Sequence, residues 1–442
     1  MQFTKFLFAY WGVLALATPL FSISAQATVK VKAEPGHSVL LKNQKQKAYI
    51  RIHLEGEKPA TTEDRPPVNI TIVIDKSGSM GGAKMERAKD AAIMAVGRLS
   101  PEDIVSVVTY DTQVKVIVPA TKVGDSDYIS ERIEKIRPGG STALYAGTQT
   151  GIREVSKFLD KNKVNRVILI SDGLANVGPS KPDVVAELGR KAAKDGIAIT
   201  TIGLGLGYNE DLMAKLAFNS DGNHAFVKNA DDLVAVFNNE FGDVLSVVAQ
   251  DVEIEVILHN RVIPLRSLGR EVTIDENRVR IRLNQIYGSQ QKEVILEVEA
   301  PEDFSEEELE LAEVRIRYLD MKSKEQKSDH STVQVKLVED KKDWEASANK
   351  SVMTSVATQI AVIENERAVK LRDEGKVEEA RGLLSSNAAY LKSAADKYGS
   401  QKLKKMSADN EKEADNLDGN NWAATRKLMR SRQHQGKTQQ KY

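Results

Sequence analysis

The sequence predicts a doubly wound α/β domain with a mostly parallel sheet, inserted into a β-sandwich and followed by a helical hairpin. Three observations carry this. Between residues 67 and 245, short β-branched strands alternate with amphipathic helical segments. On both sides of that block, at 28–66 and 246–340, apolar and charged residues alternate with period two. After residue 340 the apolar spacing becomes that of helices.

Taken in chain order, residues 1–27 read as a signal peptide. Lys5 is their only charge, an apolar run from Phe6 to about Leu20 follows it, and Ala25-Gln26-Ala27 is a small-x-small cleavage pattern. The run is shorter than the ~20 residues of a spanning helix, and no later stretch approaches one. The mature chain is therefore expected to be exported, in the periplasm or outside the cell, with no transmembrane segment.

Residues 28–66 hold the first sandwich strands, around Thr28–Lys32 and Ala48–Leu54, then a polar, Pro-containing linker. Within 67–245, strands are expected at Asn69–Ile74, Ile104–Thr109, Val164–Ile170 and Ile197–Ile202, with helices near Lys84–Leu99, Ala143–Leu159, Pro182–Lys194 and Glu210–Phe218. Such near-continuous apolar strands belong to a parallel sheet covered on both faces. From 246 to 340, the stretches Val252–Ile257, Arg278–Leu283, Val294–Glu299 and Val314–Tyr318 alternate again, so one face is buried and the other wet. Two strands at the N-terminus would be unstable alone, which joins both flanks into one sandwich.

Residues 341–419 read as helical, with stripes at Val352, Val356, Ile360 and Ile363, then at Ala380, Leu384, Ala388 and Leu391, broken at Gly375 and Gly399. The corner at Gly375–Ala380 resembles a tetratricopeptide turn, but no second copy follows at a fixed period. Residues 420–442 hold six basic residues and no acid, and read as a solvated, mobile basic tail.

Composition excludes several functions. The 442 residues carry 63 Lys+Arg against 63 Asp+Glu, six His and no Cys. A net charge of zero lacks the basic excess that nucleic-acid binding requires. Without cysteine there is no disulfide framework, thiolate metal site or cysteine nucleophile. Apolar residues at 41% with 29% charged fit a globular protein.

The chemistry concentrates on three loops. Asp75-Lys76-Ser77-Gly78-Ser79 follows the first strand of the α/β block, Pro138-Gly139-Gly140-Ser141-Thr142 precedes a helix, and Ser171-Asp172-Gly173 follows another strand. All lie where open α/β sheets place ligands. Together they offer the hydroxyls of Ser77, Ser79 and Thr142 and the carboxylates of Asp75 and Asp172. Hard divalent cations select such donors: Mg²⁺ first, with Mn²⁺ or Ca²⁺ as alternatives. With no Cys or His in the set, zinc and copper are disfavoured. Gly203-Leu204-Gly205-Leu206-Gly207 has the wrong spacing for a dinucleotide loop and reads as a turn. The six histidines are scattered without ligand spacing, and none stands near Ser77 to activate it, so no catalytic residue is assigned.

An Asp-x-Ser-x-Ser, a Thr 63 residues past Ser79 on a Gly-rich loop and a Ser-Asp-Gly whose Asp lies 30 residues later resemble a von Willebrand factor type A domain with an intact metal-ion-dependent adhesion site. The flanking sandwich, with its Leu311–Asp320 strand, is similar to secreted bacterial relatives of inter-alpha-trypsin inhibitor heavy chains. The resemblance implies that Ser77, Ser79 and Thr142 coordinate the metal directly, that Asp75 and Asp172 do so directly or through water, and that a partner's Asp or Glu takes an open position. The expected function is an exported, non-enzymatic protein-binding or adhesion module. The alternative is a structural or assembly protein of the cell envelope, in which the metal only stabilises the domain.

Overall fold

In the computed structural model, residues 28–58, 65–302, 307–418 and 422–440 are described; the expected signal peptide lies outside them. Strands β1 (Val29–Pro35), β2 (Val39–Leu41) and β3 (Gln46–Gly56) open the described chain. The α/β block follows as β4 (Val68–Asp75), α1 (Ala83–Val96), β5 (Ile104–Tyr110), β6 (Val114–Lys122), α2 (Ser126–Glu134), α3 (Leu144–Ser156), β7 (Val164–Ser171), α4 (Pro182–Lys194), β8 (Ile197–Leu204), α5 (Glu210–Asn219), β9 (His224–Val227) and α6 (Leu233–Val244).

The block's sheet has strand order β6-β5-β4-β7-β8-β9. Only the edge strand β6 runs antiparallel. β4 is buried at all eight positions and pairs in parallel with both β5 and β7. Its alternate side chains serve two cores: Ile70, Ile72 and Ile74 pack with α1, α2 and α6, and Val73 packs with α3, α4 and α5. Because β5 lies on one side of β4 and β7 on the other, their connections diverge and leave a crevice at the C-terminal ends of β4 and β7. Asp75 ends β4 and Asp172 directly follows β7, so topology alone delivers both carboxylates to that crevice.

The sandwich is completed by β10 (Val247–Leu258), β11 (Ile263–Leu268), β12 (Thr273–Asp275), β13 (Arg278–Tyr287), β14 (Gln291–Ala300), β15 (Glu308–Asp320) and β16 (Gln326–Val338). One sheet has the order β1-β3-β14-β11 and the other β12-β13-β10-β15-β16-β2, so strands from both flanks intermix. Their inner faces share one core, with Ile50, Ile52 and Val294 from one sheet and Ile254, Ile281 and Ile316 from the other. On the outer face of the larger sheet, Glu253 stands opposite Arg282 and Arg317, and Glu255 opposite Arg280 and Arg315. Opposite charges across strands support this register. A buried guanidinium fastens the sandwich to the α/β block: Arg166 of β7 donates to Thr200 at 3.0 Å and to the Tyr287 hydroxyl at 2.6 Å.

Among the described residues, five helices follow: α7 (Lys341–Ala346), α8 (Lys350–Asp373), α9 (Val377–Tyr398), α10 (Gln401–Asp415) and α11 (Trp422–Thr438). The α8–α9 hairpin turns at Gly375, whose φ of 82° suits a residue without Cβ. Val352 and Val356 of α8 pack on Leu268 and Ile295, on the outer face of the smaller sheet. The expectation of a wet outer face is thus corrected for that sheet, which α8 covers.

The basic stretch 420–442 is also corrected. Residues 422–438 are the helix α11, with Met429 and His434 buried. Its charges are neutralised by carboxylates of other elements: Arg426 meets Glu210, Asp211 and Asp373, Lys427 meets Glu210, Arg432 meets Glu413, and Lys437 meets Glu366. Among the described residues, no helix is long and apolar enough to cross a membrane.

Candidate metal centre

The crevice is built by three loops laced together through their backbones. Gly78 N–H donates to Gly140 C=O at 3.0 Å, and Gly139 N–H donates to Lys76 C=O at 2.7 Å. The Asp75 carboxylate accepts the Ser77 amide at 2.8 Å on one oxygen and the Ser171 hydroxyl at 2.7 Å on the other. Ser77 and Ser79 hydroxyl oxygens lie 3.1 Å apart, and Ser79 Oγ donates to Asp172 Oδ1 at 2.7 Å. Thr142 is fixed through its amide, which donates to the Asn176 side chain at 2.7 Å. A Cβ on Gly173 would lie 3.1 Å from Thr142 Oγ1 and 3.4 Å from Ser79 Oγ. Both hydroxyls therefore close on the space that this glycine leaves free. All five residues expected from the sequence meet here.

Asp75, Ser77, Thr142 and Asp172 are buried, whereas Ser79 is exposed, so the cluster opens to solvent on one side. Burial pushes the Asp75 carboxyl above its usual range, against the hydrogen bonds from Ser171 and Ser77, and the neighbouring Asp172 adds to the push. Tyr110, wholly buried beside Asp75, is held well above the ordinary phenol range, chiefly by burial. Asp172 pairs with Lys84 from the first turn of α1. Asp75 has no such ammonium or guanidinium partner among the described residues; its hydrogen bonds come from Ser77 and Ser171. The arrangement fits a hard cation on three grounds: hydroxyl and carboxylate oxygens only, an open side, and a buried carboxylate without a counter-charge. Among the described residues, no group of three or more His, Asp or Glu is placed to hold a metal, so hydroxyls must make up part of any donor set.

Sequence reasoning gave no role to Ser171, Asn176 or Lys84. Ser171 lies inside the Ser-Asp-Gly stretch already singled out and Asn176 three residues beyond it, while nothing local marks Lys84, whose partner is 88 residues away. The Gly203–Gly207 run serves close packing. A Cβ on Gly203 would fall 2.2 Å from the Tyr208 ring, and one on Gly207 would fall 2.6 Å from Asp172 C=O. Of the histidines, His224 and His434 come together in the interior, with ring centroids 5.9 Å apart.

Residues 69–239 match the von Willebrand factor type A domain. Relatives of this region include the uncharacterized protein sll0103 of Synechocystis, 29% identical over 177 residues (40% of this chain, 41% of that protein). The uncharacterized protein YfbK of Escherichia coli is 27% identical over 217 residues (48% and 38%). Human inter-alpha-trypsin inhibitor heavy chain H2 is 30% identical over 168 residues (36% and 18%). The matches thus span about two-fifths or less of those relatives' own lengths.

Two solved structures share the architecture along most of their length. A von Willebrand factor type A protein from Catenulispora acidiphila superposes with a TM-score of 0.70 at 14% identity, covering 89% of this chain and 91% of that one. The ArnB paralog VWA2 from Sulfolobus acidocaldarius gives 0.63 at 16% identity, covering 92% and 98%. At these identities the likeness is one of fold.

Proposed function

We propose that this chain, with its von Willebrand factor type A domain, is an exported, non-enzymatic protein-binding module that engages an acidic group of its partner through a divalent cation held by Asp75, Ser77, Ser79, Thr142 and Asp172. The observation that carries the reading is the convergence of three hydroxyls on two buried carboxylates, one of them without a counter-charge, at a solvent-open crevice. Mg²⁺ suits such oxygens, with Mn²⁺ or Ca²⁺ as substitutes. The bound cation supplies a Lewis-acidic position for a partner Asp or Glu.

The protein's own residues position that set. Ser171 and the Ser77 amide orient Asp75, Asn176 orients the Thr142 backbone, and Lys84 shares the charge of Asp172. A donor set rich in neutral hydroxyls leaves the cation electron-poor, which strengthens an incoming carboxylate bond. Among the described residues, no imidazole bonds to the Ser77 or Ser79 hydroxyl, in keeping with binding rather than nucleophilic chemistry. Export belongs to the same reading, through the signal peptide at 1–27.

Gly173→Ala tests the placement of the donors. Its methyl group would crowd Thr142 Oγ1 and Ser79 Oγ, and the expected result is about tenfold weaker Mg²⁺ binding by calorimetry, equivalent to about 1.4 kcal/mol. Unchanged affinity would remove Thr142 and Ser79 from the ligand set.

Partner capture tests the function. Residues 28–442 are immobilised and exposed to host envelope extract in Mg²⁺ and in EDTA, beside Asp75→Ala. A protein retained by the wild type in Mg²⁺, and lost in the other two conditions, is the expected result. Retention indifferent to metal and mutation would favour the envelope-assembly alternative.

A further inference from the structure

The metal centre carries an apolar rim on the side of β7 and β8. These strands are parallel neighbours, with Ser171 paired to Gly203. Three residues beyond each member of that pair stands a leucine: Leu174 in the loop after β7, and Leu206 in the loop after β8. Leu174 is 58% exposed and Leu206 51%, whereas most leucines of the chain are buried. A single exposed leucine is ordinary, but two on adjacent loops at a ligand crevice make a patch.

Both loops press on the metal-site residues. Leu174 follows Gly173, the glycine on which Thr142 Oγ1 and Ser79 Oγ close. Leu206 stands between Gly205, whose Cβ would lie 3.9 Å from Lys84 Nζ, and Gly207, whose Cβ would lie 2.6 Å from Asp172 C=O. The loops are also bonded in place. Asn176 N–H donates to Thr142 C=O at 3.2 Å, which ties the Leu174 loop to the entry of α3. Gly205 N–H donates to Val227 C=O at 2.8 Å, and Tyr208 C=O accepts from Lys427 Nζ at 2.6 Å, so Leu206 is anchored on both sides. The fold thus holds two leucines in water, although burying them would be favourable. The loops after β4 and before α3 differ: Ser79, Gly81, Gly82 and Gly140 are exposed there, and Met80 is buried.

We propose that Leu174 and Leu206 form an apolar subsite beside the cation, selecting a partner protein segment that carries an aliphatic side chain on the same face as its metal-binding Asp or Glu. The inference rests on the metal-bridged reading above and adds which acidic segments that bridge accepts.

The reason is one of specificity. A bond to the cation is open to any exposed carboxylate, so discrimination among acidic groups has to come from what lies beside the ion. A carboxylate among polar neighbours leaves both leucines in water, while one accompanied by an aliphatic group covers them and gains that burial. In an extended segment alternate residues share a face, so the aliphatic residue belongs two positions from the acid.

The test uses residues 28–442 and three acetylated, amidated heptapeptides: Gly-Leu-Gly-Asp-Gly-Leu-Gly, the same peptide with Ser in place of both Leu, and the Leu peptide with Asn in place of Asp. Binding is read by calorimetry in Mg²⁺ and in EDTA. The Leu-Asp peptide is expected to bind in Mg²⁺ with a Kd of about 1 mM or tighter. The Ser-Asp peptide should bind about tenfold more weakly, and the Leu-Asn peptide not at all. The double variant Leu174→Ser/Leu206→Ser should bind the Leu-Asp peptide as weakly as the wild type binds the Ser-Asp peptide, with unchanged Mg²⁺ affinity and melting temperature. Equal affinity for the Leu-Asp and Ser-Asp peptides, lost in EDTA, would overturn the subsite and leave the metal bridge standing. Full affinity in the double variant would do the same. Binding of the Leu-Asp peptide that survives EDTA, or that the Leu-Asn peptide matches, would overturn the bridge and the subsite with it, as would no binding of either Asp peptide to the Mg²⁺-loaded protein.

Discussion

Asp75→Ala is expected to abolish Mg²⁺ binding outright while leaving a folded chain that is about 1–3 kcal/mol less stable. The binding loss follows from charge. Without Asp75 the cluster keeps one carboxylate, Asp172, whose charge Lys84 already shares. Three hydroxyls and a shared carboxylate are too weak a set to strip water from a strongly hydrated ion. The stability cost follows from burial: Asp75 is fully enclosed and accepts the Ser77 amide and the Ser171 hydroxyl, and alanine leaves both donors unmatched. Asp75→Asn separates the two effects, because it keeps the volume and one acceptor oxygen and removes the charge. Thermal unfolding with and without Mg²⁺ reads both. At a hundred times its Kd, the ion should stabilise the wild type by about 2.7 kcal/mol, and neither variant should respond. An alanine variant with wild-type affinity would refute the ligand assignment.

The parts of the fold that were legible in the sequence are those in which the partner of a residue is implied by a period. Ile70, Ile72 and Ile74 alternate with Thr71 and Val73, and that alternation already requires two cores. The Glu/Arg alternation of β10 and β13 likewise requires one wet face. The metal-site residues were legible for a related reason: each lies at or just beyond the end of a strand, or just ahead of a helix, at one side of the sheet, and topology carries them together.

Where a residue's partner lies far away in the chain, the same reasoning fails. In α11, the net charge of the local stretch suggested a solvated tail, because the carboxylates that neutralise it belong to α5, α8 and α10. Lys84 carries no local signal of its ion pair. The outer face of β14 looked wet because Val352 and Val356, which cover Ile295, arrive more than 50 residues later. Charge and hydropathy read along a line cannot report neutralisation or burial supplied from elsewhere in space.

The same docking of α11 makes the chain's stability sensitive to acid. His434 of α11 is wholly buried against the rings of Phe218 and His224, with Asp221 and Lys437 as its other charged neighbours. His224 sits near Glu210 and Lys427. Burial, the dominant cause, lowers His224 to about 4 and His434 to about 3. Both imidazoles are then neutral in the folded chain and take up protons on unfolding below the ordinary value of about 6.5. Their contribution to stability is complete above that value and is lost as pH falls toward 4 and 3.

Glu240 and Glu413, raised by burial to about 8 and about 7, act in the opposite sense. Their contribution is complete below the ordinary carboxyl value of about 4.5 and is lost as pH rises through 7 and 8. The two pairs nearly cancel between about pH 4.5 and 6.5, so the wild type should show a plateau there and lose stability on both sides. His434→Phe isolates one member of this balance. Whatever constant cost the substitution carries, its stability relative to the wild type should rise as pH falls from 7.5 to 4.5, by up to about 3 kcal/mol, since two pH units below 6.5 are each worth about 1.4 kcal/mol. Urea unfolding of both chains across that range measures the difference directly, and parallel curves would mean that His434 does not stay neutral in the folded chain. Helix α11, through the Arg426 and Lys427 ion pairs to α5, is the element whose release the acid limb should report.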